Sequence, residues 1–393
     1  MGLEVEATPI VVRDGRERVA EIAHVLDWIE SIGRSRDWDF SRARDRAPLI
    51  GVAGGGIITL EPGGQIEYSS AVRDDAETVL DEVEGFFDLL DAHAADAGIE
   101  LRHIGFNDAC PVEEIPLQLD APRYREMDAY FAAISPYGRA MMRATCALQI
   151  SLDFGTGAVA AERWRLANMI APAMNALFAN SPHERDGRRY RSYRHEIWRH
   201  VDPTRTGRLF DKPDLDPVAD YLRFALDARV MMYRVRNGDG DSSSDSSGNS
   251  SSGSSSDSNG GSNTGSNSDM RRPEQPLTFR QWIDRSGPGL PAHAPDLADW
   301  ELHLTTLFPD VRARGFMELR SIDAQPPATR RVAVALVTAL VYDEALRHEA
   351  LARLESRERV RKPNDHERDG YWQSDLATGR ELLALARAKR SLR

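Results

Sequence analysis

Lysine is nearly missing from this chain of 393 residues: only Lys212, Lys362 and Lys389 occur, and arginine supplies the rest of its 50 basic side chains. None of the three follows a glycine-rich loop, which excludes a Walker A nucleotide site, and Schiff-base chemistry has little to draw on. Two cysteines, Cys110 and Cys146, are too few for a disulfide framework or a four-thiolate zinc site. Long apolar runs are lacking as well. The longest, Val332 to Tyr342, falls well short of the ~20 residues a membrane span requires. Positive charge is outweighed, 50 basic against 62 acidic groups for a net charge of −12, so no global field attracts nucleic acid or an anionic membrane. The opening Met-Gly-Leu-Glu-Val-Glu has no basic segment leading into an apolar one. The expectation is a reduced, cytoplasmic protein.

With 41% apolar and 28% charged residues, the chain can bury a sizeable core. One stretch differs in kind. Residues 237–269 are almost wholly Ser, Gly, Asn and Asp, without one apolar side chain, so nothing offsets the entropy of ordering them. This stretch is expected to be a disordered insertion within a single domain covering residues 1–393, because lengthening a surface loop costs only about 0.6 kcal/mol per doubling. Replacing it with a short Gly/Ser turn should leave soluble expression and activity intact. Loss of soluble protein would refute the insertion.

Elsewhere strands and helices mix without a regular βαβ repeat. Val19, Ile22, Leu26 and Ile29 make a helical stripe ending at Gly33, and Val79, Val83, Phe86, Phe87 and Leu90 make a second. Further helices are predicted over Ala158–Phe178 and, as one element, over Arg330–Arg353. Strands are predicted over Leu3–Ile10, Ile57–Glu61, Gln65–Ser69, Leu101–Phe106, Leu148–Phe154 and Phe316–Ile322. Turns at Gly54-Gly55-Gly56 and Pro62-Gly63-Gly64 make neighbouring strands antiparallel. The class is α+β, a largely antiparallel sheet backed by helices.

Several of these strands carry polar residues on one face only. Glu4 and Glu6 oppose Leu3 and Val5; Glu61 and Glu67 flank the Pro-Gly-Gly turn; Gln149, Ser151 and Asp153 alternate with apolar neighbours; Glu318 stands beside Arg320. A solvated face explains any one of them. Several in one sheet strain that account, since two carboxylates 5 Å apart repel by roughly 3 kcal/mol at an effective dielectric of 20. Converging acids would either protonate or bind hard cations such as Mg²⁺ or Mn²⁺. Convergence itself depends on strand order.

The segment from Ser181 to Trp198 is rich in arginine with interleaved aromatics, suited to holding carboxylate or phosphate oxygens. A solvated basic loop accounts for most of these arginines; Arg194 and Trp198, four apart on a helical turn, are better placed to share a pocket. Gly155-Thr156-Gly157-Ala158-Val159-Ala160 fits the form of a dinucleotide turn, but no second strand ending in an acid follows, and the match is read as chance.

With these residues in view, the chain resembles the glutamate–cysteine ligases of the plant and proteobacterial type. The matching segments include Gly2–Glu6, Thr59-Leu60-Glu61-Pro62-Gly63-Gly64-Gln65-Ile66-Glu67, Met141–Gln149, Ala179–Pro182, Ser192–Trp198, Asp202–Gly207, Thr278–Arg280, Trp300–Pro309 and Phe316–Arg320. The resemblance implies a glutamine-synthetase-like fold whose sheet forms a funnel-shaped active site holding ATP and Mg²⁺ or Mn²⁺. It implies phosphorylation of the γ-carboxylate of L-glutamate by ATP, then displacement of phosphate by the amine of L-cysteine, in a monomer or homodimer. It further implies that Glu4, Glu6, Glu61, Glu67 and Glu318 are metal ligands, that Glu61 and Arg320 serve ATP, and that Arg320 and Glu318 are catalytic. Arg194, Tyr193, Trp198, Arg143 and Gln149 then face substrate. Ala144 stands where plant relatives have arginine, and Ser151 where asparagine is common. These departures leave a different amine acceptor open; a separate alternative is a non-catalytic homologue that binds glutamate or nucleotide for regulation.

Overall fold

The computed structural model describes residues 1–206, 216–236, 270–358 and 370–389. The Ser-rich stretch 237–269 lies outside them. In chain order the first strands are β1 (Gly2–Arg13), β2 (Arg16–Val19), β3 (Asp39–Arg42), β4 (Leu49–Gly51), β5 (Ile57–Leu60), β6 (Ile66–Ser69), β7 (Ile99–Arg102) and β8 (Ala147–Leu152). They are followed by β9 (His183–Arg185), β10 (Arg188–Tyr190), β11 (Tyr233–Arg234), β12 (Met270–Arg271), β13 (Val311–Ala313) and β14 (Met317–Asp323). The helices begin with α1 (Ile22–Gly33), α2 (Ala76–Ala94), α3 (Pro122–Ile134), α4 (Gly138–Ala144), α5 (Gly157–Leu177), α6 (Tyr193–Val201) and α7 (Pro203–Thr206). Then come α8 (Pro217–Asp227), α9 (Phe279–Ile283), α10 (Leu297–Leu304), α11 (Pro327–Tyr342), α12 (Glu344–Glu358) and α13 (Gly370–Ala388).

Ten strands form one antiparallel sheet in the order β13-β14-β8-β1-β6-β5-β4-β3, with β2 and β7 pairing the far half of β1. The expected mixed class and antiparallel sheet are what the chain adopts. Both glycine turns join antiparallel neighbours, β4 to β5 and β5 to β6. In the second turn Gly64 has φ +97°, a backbone that L side chains avoid, and a Cβ on Gly63 would lie 2.2 Å from the Arg143 carbonyl oxygen. That close approach fixes where Glu61 and Glu67 leave the hairpin.

Strand alternation gives the sheet two different faces. Leu3, Val5, Ala7, Leu148, Ile150, Leu152 and Leu319 are buried in the main core with α1, α2, α5 and α11. Each fully buried Leu, Val or Ile contributes about 1.5–3 kcal/mol of transfer free energy. The other face meets a second core, built on α3, α4 and α6 from Met127, Phe131, Met141, Met142, Tyr193 and Ile197.

Two helix expectations are corrected. Val19 ends β2, and the helix begins only at Ile22. The single helix over Arg330–Arg353 is two, because Asp343 adopts extended backbone and its carboxylate accepts the Leu346 amide at 2.9 Å, starting α12 afresh. The strand expected over Leu101–Phe106 runs from Ile99 to Arg102.

Candidate active site

Register decides whether the acids converge. Glu6 of β1 stands opposite Glu67 of β6, and Glu67 opposite Thr59 of β5. On the other flank Glu4 faces Gln149 of β8, Ser151 faces Glu318 of β14, and Glu318 faces Arg312 of β13. Cross-strand partners share a face, so these side chains stand side by side. Glu4, Glu6, Glu67 and Gln149 among them, with Glu61, floor a cavity of about 290 Å³ roofed by α3, α4 and α6, and Arg194, Trp198 and Arg320 also line it.

The acids are unequal in charge. Burial, and then the approach of Glu61, push the Glu6 carboxyl up to about 7, although it accepts from the Ala147 amide at 2.8 Å and from Gln149 Nε2 at 3.1 Å. Glu67 is pushed well up by burial and then by Glu4, Glu61 and Glu6, against the Thr59 hydroxyl that donates to it at 2.8 Å. Burial raises Glu4 and Glu61 as well. Glu318 goes the other way. Burial alone would raise it, but Arg320 and Arg312 outweigh that and hold it at about 2.

A pH dependence follows. Folded Glu6 keeps its proton to about 7 against an ordinary 4.5, so its contribution to stability is complete below 4.5 and is lost as pH rises through 7. Glu4, Glu61 and Glu67 act in the same sense. The melting temperature of metal-free protein should therefore fall by several degrees between about pH 5 and pH 8. A Tm that rises over that window in calorimetry would show the carboxylates to be independent and solvated.

Among the described residues, no three acidic, histidine or cysteine side chains close into a ready-made ion cage. The carboxylates line a wall instead. Mg²⁺ characteristically takes one or two protein carboxylates and completes its octahedron with water and phosphate oxygens. The donor set fits such an ion: hard oxygens, no thiolate or imidazole in the lining, and like charges whose repulsion a divalent cation relieves.

Arg194 and Trp198 project from the first two turns of α6, the Arg194 guanidinium lying 5.4 Å from the Trp198 ring centroid. Arg194 Nη2 donates to the Arg320 carbonyl at 2.9 Å. Its Nε and the indole Nε1 of Trp198 are buried donors without an acceptor among the described residues. Buried unpaired donors are costly, and a carboxylate entering the cavity is the natural acceptor.

Three expected residues sit elsewhere. Glu318 is fully buried behind the cavity wall, where it accepts from Arg312 Nη2 at 3.0 Å and Arg320 Nη1 at 3.1 Å. Its charge is already compensated there. Arg143 donates to the Ile115 carbonyl at 2.8 Å and pairs with Asp128, so its guanidinium is tied into the roof. Tyr193 packs against Phe106 and accepts at its hydroxyl from Arg185 at 2.7 Å, one layer from the cavity. Conversely, Arg123, Arg312 and Arg314 line the cavity without having been singled out. The alternation Val311-Arg312-Ala313-Arg314 was the available signal for two of them. The glycine turn at Gly155 is closed internally, its amide donating to Asp153 at 2.5 Å.

The site is a sheet-floored cavity walled by carboxylates and guanidiniums. The chain belongs to the glutamate–cysteine ligase family 2 (GCS2), whose family model matches residues 1–389. It is 31% identical over 323 residues to the chloroplastic glutamate–cysteine ligase of Brassica juncea, a match covering 81% of this chain and 56% of the relative. The corresponding protein of Medicago truncatula is 31% identical over 334 residues, covering 84% of this chain and 59% of the relative. The glutamate–cysteine ligase EgtA of Mycobacterium tuberculosis is 30% identical over 350 residues, covering 87% and 68%. The chain thus spans less than three fifths of the length of these two plant relatives. No helix among the described residues is long and apolar enough to cross a membrane.

Proposed function

We propose that this protein is an ATP-dependent ligase that joins the γ-carboxylate of L-glutamate to the amine of L-cysteine through a γ-glutamyl phosphate. The observation that carries the reading is one cavity holding four acidic side chains together with the guanidiniums of Arg194 and Arg320. Family membership and the names of the relatives support the choice of substrates.

Glu4, Glu6, Glu61 and Glu67 would hold Mg²⁺ or Mn²⁺, which when bound screens the phosphate oxygens of ATP. Arg320, anchored by Glu318 and Gln149, presents its guanidinium to the transferring phosphoryl group, whose charge spreads over three oxygens. Arg194 Nε and Trp198 Nε1 bind and orient the glutamate. Its γ-carboxylate oxygen attacks the γ-phosphorus and ADP departs. The cysteine amine then attacks the acyl carbon, loses a proton and expels phosphate. Met127, Met141 and Met142 along the roof keep water from the acyl phosphate.

The polar face of the antiparallel sheet supports a glutamine-synthetase-like funnel. The antiparallel pairing of β11 with β12, immediately on either side of the Ser-rich stretch, supports reading that stretch as a loop within one catalytic domain.

A coupled ADP assay with each amino acid omitted in turn tests the proposal: release should require both L-glutamate and L-cysteine. Turnover with glutamate and another amine, at the expense of cysteine, would transfer the chain to a related carboxylate–amine ligase. Mg·ATP binding without glutamate-dependent turnover would make it a non-catalytic homologue. In the same assay Arg194→Met should raise the KM for glutamate about a hundredfold, the worth of a buried charge-assisted hydrogen bond.

A further inference from the structure

Asp323 closes β14 with no exposed surface, and it is not part of the cavity lining. Its carboxylate is nevertheless a hub. Oδ2 accepts from the Ser181 hydroxyl at 2.7 Å and from the Asn180 amide at 2.9 Å, while Oδ1 accepts from the Ser192 hydroxyl at 3.0 Å. Arg194 Nη1 lies 3.9 Å from Oδ1. Room for this carboxylate comes from Gly105, where a Cβ would fall 2.5 Å from Asp323 Cγ.

Both serines act on the start of α6. Ser192 is its N-cap and accepts the His195 amide at 3.1 Å. Ser181 Oγ accepts the Arg194 amide at 3.2 Å, and the Ser181 carbonyl accepts the Tyr193 amide at 2.9 Å. A hydroxyl that donates to a fixed carboxylate has its lone pairs turned toward those amides, so one buried anion sets the donor–acceptor direction of both serines. The first turn of α6 carries Arg194, and Trp198 follows one turn later.

We propose that Asp323 is a positioning residue for substrate glutamate: through Ser181 and Ser192 it fixes the first turn of α6 and so aims Arg194 and Trp198 into the cavity. The proposal rests on the reading that those two side chains bind glutamate. It differs from a general fold-holding role in predicting an effect confined to one substrate.

The test uses the full chain carrying D323N or S181A, with steady-state kinetics and amide hydrogen exchange measured side by side. D323N should raise the KM for L-glutamate at least about tenfold while kcat and the KM for ATP stay within about twofold. Exchange across residues 193–201 should speed up, with β1 unchanged. Added to Arg194→Met, D323N should raise the glutamate KM by a smaller factor than it does alone, since only the aim of Trp198 is left to lose. S181A should move the same quantities by less, and it decides the matter if D323N does not fold. Wild-type exchange in α6 together with a wild-type glutamate KM would overturn the proposal, as would an equal rise in both KM values. A wild-type protein without glutamate-dependent ADP release would sink the functional reading instead; unchanged exchange at residues 193–201 would then still overturn the positioning role.

Discussion

Glu318→Gln should abolish glutamate-dependent ADP release and lower the melting temperature by several degrees. Sequence alone makes this exchange look harmless to the fold, since it removes charge but little volume. The structure revises that view. Glu318 has no exposed surface and compensates two guanidiniums, Arg312 and Arg320, both themselves largely buried. Removing one partner of a buried ion pair costs about 3–5 kcal/mol, because the remaining charge is stranded in a poorly polarisable place. The amide oxygen retains one acceptor function, which argues for the lower end. Arg320 then loses the contact that holds its guanidinium at the cavity. Scanning calorimetry and the ADP assay check both halves. Wild-type melting with wild-type turnover would make Glu318 a bystander.

Glu67→Gln should be equally damaging to turnover, by at least about a hundredfold, yet opposite in its effect on metal-free stability. Glu67 faces Glu6 across the ladder and is crowded by Glu4 and Glu61, with no arginine paired to it among the described residues. Glutamine keeps the bond from the Thr59 hydroxyl and removes the repulsion. At pH 8 without divalent metal the variant should melt a few degrees above wild type. Mg²⁺ should raise the Tm of wild type more than that of the variant. If both variants melted below wild type, the floor carboxylates would be ordinary stabilising acids.

The contrast between these two glutamates marks where sequence reading reached its limit. Alternation along Leu3–Glu6 and the Pro62–Gly64 turn were enough to place Glu4, Glu6, Glu61 and Glu67 on one face, because period and turn chemistry are local. Glu318 shows the same alternation and was grouped with them. What separates it is Arg312, a cross-strand neighbour whose register is set by the β13–β14 turn and by burial. Alternation along β14 alone does not report that; the neighbouring alternation of β13 read across the turn would have. Where the Arg143 guanidinium sits was also hidden, since it depends on Asp128, a partner on another helix. Arg194 and Trp198 were legible because a helical turn of spacing fixes their relation before any tertiary contact forms. Asp323, at the end of a strand whose motif closed at Arg320, gave no signal, since its importance comes from Ser181 and Ser192 far away in the chain.

The floor of the cavity also sets a timetable for synthesis. Arg320 reaches a side chain 171 positions earlier in Gln149, and Glu6 holds an amide 141 positions later at Ala147. On the ribosome, β1 therefore emerges long before β8, the neighbour that completes its flank, and β14, which lies beyond β8, exist. The β1 edge over Gly2–Val5 must wait, beside the hairpin partner β2 and the later-made β6, until β8 arrives, and β8 in turn waits for β14. Pairings of such long range make for slow folding and a prolonged interval in which a nascent sheet edge is open to the wrong partner.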